Sequence, residues 1–298
     1  METPGYSRRS LLKAGAGFSV GVVSSGAVPD QKQSRTPRKA VMLGMLPQSM
    51  PLDDRMALAR DLGFAGIEAP PISDLSECER LRKAADGAGI RIHSVIFGGW
   101  NAPLTSGDPE VIKRGLQEVE AGLRGASAMG ADGLLLVPGI VNGAIRYADA
   151  YKRSQANIRR LIPIAARCKV QILIENVWNN FLLSPLEFAR YIDEFRSRWV
   201  QAYFDCGNVV AFAWPEDWIR TLGPRIRKIH LKDYKGGPGL GGQGRFVPLL
   251  EGSINWPAVR TALSEIGFDG FMTPEQGGGD RDYLQDVSNR IDRILTVG

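Results

Sequence analysis

The sequence predicts an α/β protein folded as a (β/α)8 TIM barrel, and three observations carry that expectation. Short apolar runs alternate with amphipathic stretches eight times, with hardly a break. About 260 residues remain after the N-terminal segment, the usual size of one such barrel. No glycine fingerprint follows the first apolar run, which counts against an open doubly wound sheet.

The expected strands, in order, are 41–46, 66–69, 92–97, 133–137, 170–174, 202–204, 228–231 and 270–273. Each is too short to stand as a helix of its own. Between them, helical spacing of apolar residues covers 53–62, 76–88, 109–129 and 147–166. It continues through 185–195, 215–222, 256–266 and 282–295. Pro109, Pro185, Pro215, Asp53 and Ser76 are helix openers, while Gly63, Gly130 and Gly267 follow three of the helices as stops. A Gly-x-Gly-x-x-Gly match at Gly239, Gly241 and Gly244 follows the seventh strand. It leads into Arg245-Phe246-Val247-Pro248, which does not open a helix, so it reads as a glycine-rich mobile loop rather than a nucleotide cradle.

The N-terminus reads as an address. Ser7-Arg8-Arg9-Ser10-Leu11-Leu12-Lys13 has the form of a twin-arginine export signal, followed by an apolar run over 14–23 and small residues at Ser25-Gly26-Ala27. The run, about ten residues, is too short to span a bilayer. No later segment is long and apolar enough, and no cysteine follows to take a lipid. The expected organisation is a twin-arginine signal peptide at 1–27, a linker at 28–39 and the barrel domain at 40–298. The expected partners include the twin-arginine export machinery, and the expected location is the periplasm or another exported space. Nothing in the sequence fixes an oligomeric state.

The net charge of +5 is local. Arg8, Arg9 and Lys13 against Glu2 give +2, and Lys32, Arg35, Arg38 and Lys39 against Asp30 give the remaining +3. Residues 40–298 are therefore neutral, without the footprint of a phosphate-backbone binder. Cys78, Cys168 and Cys206 are odd in number, widely spaced and form no Cys-x-x-Cys pair, so neither a thiolate metal site nor a disulfide framework is indicated.

In this fold the chemistry sits at the carboxyl ends of the strands. The fifth strand ends in Glu175-Asn176 and the sixth in Asp205. The seventh carries His230, one of only two histidines, and the eighth ends in Glu275. Any one of these alone has an ordinary structural explanation. Adjacent strands lie about 4.8 Å apart, so inward side chains from four consecutive strands can meet on one cation. Three oxygens and one imidazole suit Mn²⁺ first, with Mg²⁺ and Co²⁺ close and Zn²⁺ also able to bind.

The segments "LIENVWN", "YFDCGNVV", "KIHLKD" and "FMTPEQ", together with "GFAGIE" and "LLLVPG", resemble the xylose isomerase-like sugar isomerase/epimerase superfamily over nearly all of residues 40–298. The resemblance implies that Glu175, Asp205, His230 and Glu275 bind one divalent metal. In the ketose 3-epimerase branch the two glutamates are also the acid and base. The implied activity is a metal-dependent sugar isomerase or epimerase working through an enediolate. Export points to an unphosphorylated small sugar or sugar derivative. The family's epimerases have a histidine three residues after the aspartate, where this chain has Asn208.

Further expectations attach to Glu68, His93, Trp100, Asn208, Lys232 and Asp233 as substrate contacts, and to Asn176 and Asn208 as hydrogen bonders behind the metal. Arg245 and Glu251 flank the glycine-rich loop, which is placed to close over a ligand. Three rival readings use the same residues. One is a lyase or hydratase acting on a 3-oxo-glycoside, and another is a non-catalytic sugar-binding protein. The third, an abasic-site nuclease, needs a histidine-rich metal cluster that two histidines do not supply.

Overall fold

The computed structural model describes residues 36–236 and 244–296. The expected signal peptide and the center of the glycine-rich loop lie outside the described residues. Among the described residues ten strands form: β1 Arg38–Met42, β2 Gly66–Ala69, β3 Arg91–Gly98, β4 Gly133–Leu136, β5 Gln171–Glu175, β6 Val200–Asp205, β7 Ile226–Leu231, β8 Asp233–Lys235, β9 Arg245–Val247 and β10 Phe271–Pro274. Eight of them close into a parallel barrel in the order β1-β10-β7-β6-β5-β4-β3-β2, as the alternating pattern predicts. β8 and β9 pair as an antiparallel ribbon, which the sequence reading did not anticipate.

The helices are α1 Leu52–Asp61, α2 Leu75–Ala88, α3 Pro109–Ala128, α4 Tyr147–Cys168, α5 Pro185–Asp193, α6 Cys206–Val210, α7 Pro215–Leu222, α8 Trp256–Glu265 and α9 Arg281–Thr296. Their ends follow local chemistry. Asp74, Asp108, Ser184 and Asn255 accept backbone N–H groups at four N-termini, and Gly89 leaves α2 in the left-handed region at φ 71°. The short α6 was not foreseen. It is capped by Asp205, whose Oδ1 accepts the backbone N–H of Asn208 at 2.7 Å. No helix among the described residues is long and apolar enough to cross a membrane.

The first strand starts earlier than expected. Arg38 and Lys39, assigned to the linker, already pair with β10, and Ala40 to Met42 pair with β2. Leu43–Met45, expected as strand, instead forms a 3₁₀ turn. The run from Val41 to Leu46 is apolar because Leu43, Met45 and Leu46 are buried too, and apolarity alone does not separate a strand from a packed turn.

Two apolar regions form. The larger lies between the barrel wall and the helices, and a small cluster of Leu135, Leu173 and Tyr203 with Ile96 fills the bore. Toward the amino-terminal end of the barrel, Lys228 is 5% exposed and places its ammonium 2.6 Å from Asp132 Oδ1. Arg91 donates to Asp132 Oδ2 at 2.6 Å. His93 stacks on Phe271 with centroids 4.4 Å apart.

Replacing Asp132 with Ala strands the buried Lys228 ammonium, and a loss of about 3 kcal/mol in urea unfolding is expected. Lys228→Met in the same background should recover most of it, and equal stability of wild type and Asp132→Ala would refute this account. Although burial alone would raise the Asp132 carboxyl, Lys228 and Arg91 hold it below the usual carboxylate range. Its contribution is therefore present at neutral pH and fades as acid reaches that lowered folded value.

Candidate metal centre

The four strand-end residues converge. β5, β6, β7 and β10 are consecutive in the wall, and the register sets His230 beside Asp205 on one side and beside Thr273 on the other. Glu275 follows β10 directly, and its N–H donates to Leu231 O at 3.0 Å, which fixes the backbone beneath it. One ligating atom from each of Glu175, Asp205, His230 and Glu275 lies within 4.8 Å of every other. Asp205 and His230 are fully buried, and the Glu275 side chain is 29% exposed, so the cluster opens to solvent on that side.

His230 is held by both ring nitrogens. Nδ1 faces the cluster, 2.9 Å from Glu175 Oε1 and 3.0 Å from Glu275 Oε2. Nε2 points into the bore and lies 2.7 Å from Glu68 Oε2. Glu68 Oε1 accepts hydroxyl hydrogens from Ser94 at 2.7 Å and Tyr203 at 2.9 Å. With Nε2–H donated to Glu68, the Nδ1 lone pair is directed at the carboxylate cluster, the tautomer a metal-binding imidazole needs. Sequence reasoning missed Tyr203 and Ser94. Tyr203 had a signal: it lies two residues before Asp205 on one strand and so faces the same interior.

The electrostatics are those of crowded acids. Burial pushes Glu175 up to about 7, with help from Glu275 and Asp205 and against His230. Burial likewise raises Asp205, reinforced by Glu275 and opposed by Lys232. For Glu275 burial acts upward as well, but His230 and Lys232 outweigh it and hold the carboxyl at about 2. Lys232 sits 2.7 Å from Glu275 Oε2 and 3.1 Å from Asp205 Oδ2, and these carboxylates raise its ammonium despite its burial. Asp205 Oδ2 and Glu275 Oε2 are buried yet accept no well-aligned hydrogen bond. Three carboxylates and an imidazole lone pair, with two oxygens so placed, fit one divalent cation.

Other expected contacts fall elsewhere. Glu68 is 1% exposed with both oxygens engaged beneath the cluster, so it supports His230 rather than meeting a substrate. His93 is enclosed deep in the barrel, where Nε2 meets Thr273 Oγ1 at 3.1 Å, because its strand turns it toward Phe271. Asp233 is also turned away from the site. Its carboxylate collects the backbone N–H groups of Tyr234, Leu250 and Gly252 and the indole N–H of Trp256, at 2.9 to 3.1 Å. Gly252 has no side chain because a Cβ there would clash with this carboxylate.

Asn176 and Asn208 bracket Asp205. Asp205 N–H donates to Asn176 Oδ1 at 2.8 Å, and Asn208 Nδ2 donates to Asn176 O at 2.9 Å. Trp100 is 47% exposed on the loop after β3. Arg245 is exposed on β9, and Glu251 pairs with Arg290 at 2.7 Å on the outer side.

The profile described as xylose isomerase-like TIM barrel matches residues 56–292. L-ribulose-5-phosphate 3-epimerase UlaE of Escherichia coli O1:K1 / APEC is 25% identical over 250 residues, covering 78% of this chain and 86% of the relative. Among solved structures, an L-ribulose 3-epimerase superposes with a TM-score of 0.73 at 18% identity, covering 87% of this chain and 94% of that one. A D-psicose 3-epimerase determined in the presence of D-fructose gives 0.72 at 18% identity, covering 88% of this chain and all of the other. These structural likenesses establish a shared barrel.

Proposed function

This chain belongs to the xylose isomerase-like TIM barrel family, and from that premise we propose that it is a divalent-metal-dependent sugar epimerase. The observation that carries the reading is the convergence of four donors from consecutive strands, with a glutamate at each flank. Glu175, Asp205, His230 and Glu275 would hold the ion, with Mn²⁺ the proposed occupant. When bound, the ion supplies a fixed positive charge that makes a proton beside a carbonyl easier to remove.

The chain's own groups do the rest. Glu175 and Glu275 approach from the two sides of His230. One takes the proton from carbon while the other returns one to the opposite face, which inverts that centre. Lys232, between Asp205 and Glu275, limits the negative charge accumulated at the solvent side and orients both carboxylates. Glu68 keeps the imidazole in the tautomer that presents Nδ1. A curated relative named as an epimerase supports this reading.

Export through residues 1–27 supports an unphosphorylated substrate, since phosphorylated sugars are retained inside cells. Incubating ketoses with the Mn²⁺-loaded protein in heavy water tests the reading. Deuterium at C3 is expected, whereas uptake confined to C1 or C2 would make it an aldose–ketose isomerase. No exchange in any sugar would remove the epimerase reading.

Glu68→Gln is expected to weaken Mn²⁺ binding about 10- to 100-fold, as loss of a partner behind a metal-binding histidine does. Competition against a chelator of known affinity measures it. Unchanged affinity would leave Glu68 as a packing residue only.

A further inference from the structure

Lys232 lies between the last residue of β7 and the first of β8, two positions beyond His230. Three features aim its side chain. The Asp233 carboxylate accepts the N–H groups of Tyr234, Leu250 and Gly252, which pins the backbone that follows Lys232. The stem of the lysine passes the first turn of α6 at Gly207, where a Cβ would collide with Lys232 Cβ. The Phe246 ring on β9 stands 5.5 Å from the ammonium. Only 16% of the side chain is exposed, so the charge is held at the mouth rather than in solvent.

The ammonium ends on the donor quartet itself. It lies 2.7 Å from Glu275 Oε2 and 3.1 Å from Asp205 Oδ2. Asp205 Oδ1 accepts the Asn208 N–H at 2.7 Å, which leaves Oδ2 as the oxygen turned to a cation. Glu275 Oε2 also lies 3.0 Å from His230 Nδ1, on the inner side of the quartet. These are the two oxygens that an ion held by the quartet would use. Such an ion shares its ligands with a fixed positive charge, and like charges this close repel strongly where water is scarce.

We propose that Lys232 is a built-in counter-cation that shares Asp205 and Glu275 with the bound ion, loosens the hold on it and keeps the carboxylates together when it leaves. The inference rests on the metal reading and adds the residue that sets the affinity. Two effects of opposite sign follow from removing the ammonium. The ion loses a repelling neighbour, which tightens binding. In the metal-free protein Glu175, Asp205 and Glu275 face one another with less opposing charge, which costs stability. A lysine that only oriented the carboxylates would act the other way on affinity, because its loss would let the ligands drift apart.

Lys232→Met is expected to bind Mn²⁺ at least about tenfold tighter, a small part of what Coulomb's law allows at this range. Competition against a chelator of known affinity measures it, at about pH 8 so that protons compete little for the ligands. The chelated variant should melt below the chelated wild type, and its melting point should rise further on addition of Mn²⁺. Lys232→Gln keeps an N–H donor without the charge and should follow the Met variant, so it decides the matter if the Met variant does not fold. Lys232→Arg keeps the charge and should return the affinity toward that of the wild type. Affinity that is unchanged or weaker in the uncharged variants would overturn the proposal while leaving the metal reading in place. A wild type that binds no Mn²⁺ would remove the metal reading, and this inference with it.

Discussion

Glu275→Gln is expected to lower turnover by about three orders of magnitude while leaving sugar binding within a few-fold of wild type. The amide keeps an oxygen for the cation and nearly the same volume, but it cannot accept or deliver a proton near neutral pH. General acid–base steps of this kind contribute about 10²- to 10⁴-fold. At about 1.36 kcal/mol per tenfold, the loss corresponds to about 4 kcal/mol of transition-state stabilisation. Glu175→Gln should behave alike, and the double variant should be little worse than either single one, because the two act in one sequence. Metal analysis of the variants guards against simple loss of the ion. A sugar-binding protein without catalysis predicts a different result: no turnover in the wild type and undiminished binding in both variants.

Exhaustive chelation is expected to abolish activity and to lower the melting temperature, with both recovered by Mn²⁺. Glu175, Asp205 and Glu275 are negative groups within one small volume, opposed by Lys232 and His230. A cation that binds only the folded chain stabilises it by about 2.7 kcal/mol at a hundredfold excess over its dissociation constant. In a chain of this size that is a rise of about 5–10 °C. Differential scanning fluorimetry across Mn²⁺, Mg²⁺, Co²⁺ and Zn²⁺ should rank the ions by the same shift. Activity that survives chelation, with a melting point indifferent to all four, would remove the metal from the account.

The barrel and the donor quartet were legible in the sequence for a common reason. Strand and helix differ in period, and a polar residue ending an apolar run must emerge at the mouth of the wall. What was not legible depends on direction and depth rather than on type. Glu68, His93 and Asp233 are polar residues in or beside strands, much like the quartet. Yet one supports His230, one packs on Phe271, and one gathers the backbone of 234–252 and the Trp256 indole. The β8–β9 ribbon joins residues separated by a glycine-rich stretch, whose composition carries no strand pattern. The early start of β1 was hidden because two charged residues, Arg38 and Lys39, form its first paired positions.

The anchoring of His230 from across the bore has a mechanical consequence. Its imidazole is stayed by Glu68 on β2, and Glu68 in turn by Ser94 and Tyr203, all of them beneath the rim. The aim of the nitrogen is therefore set from within the cylinder wall, on the side opposite the mouth. Exposed residues at the entrance, such as Trp100, take no part in these contacts. Substitutions there should change traffic rates, while those below should change the chemistry itself.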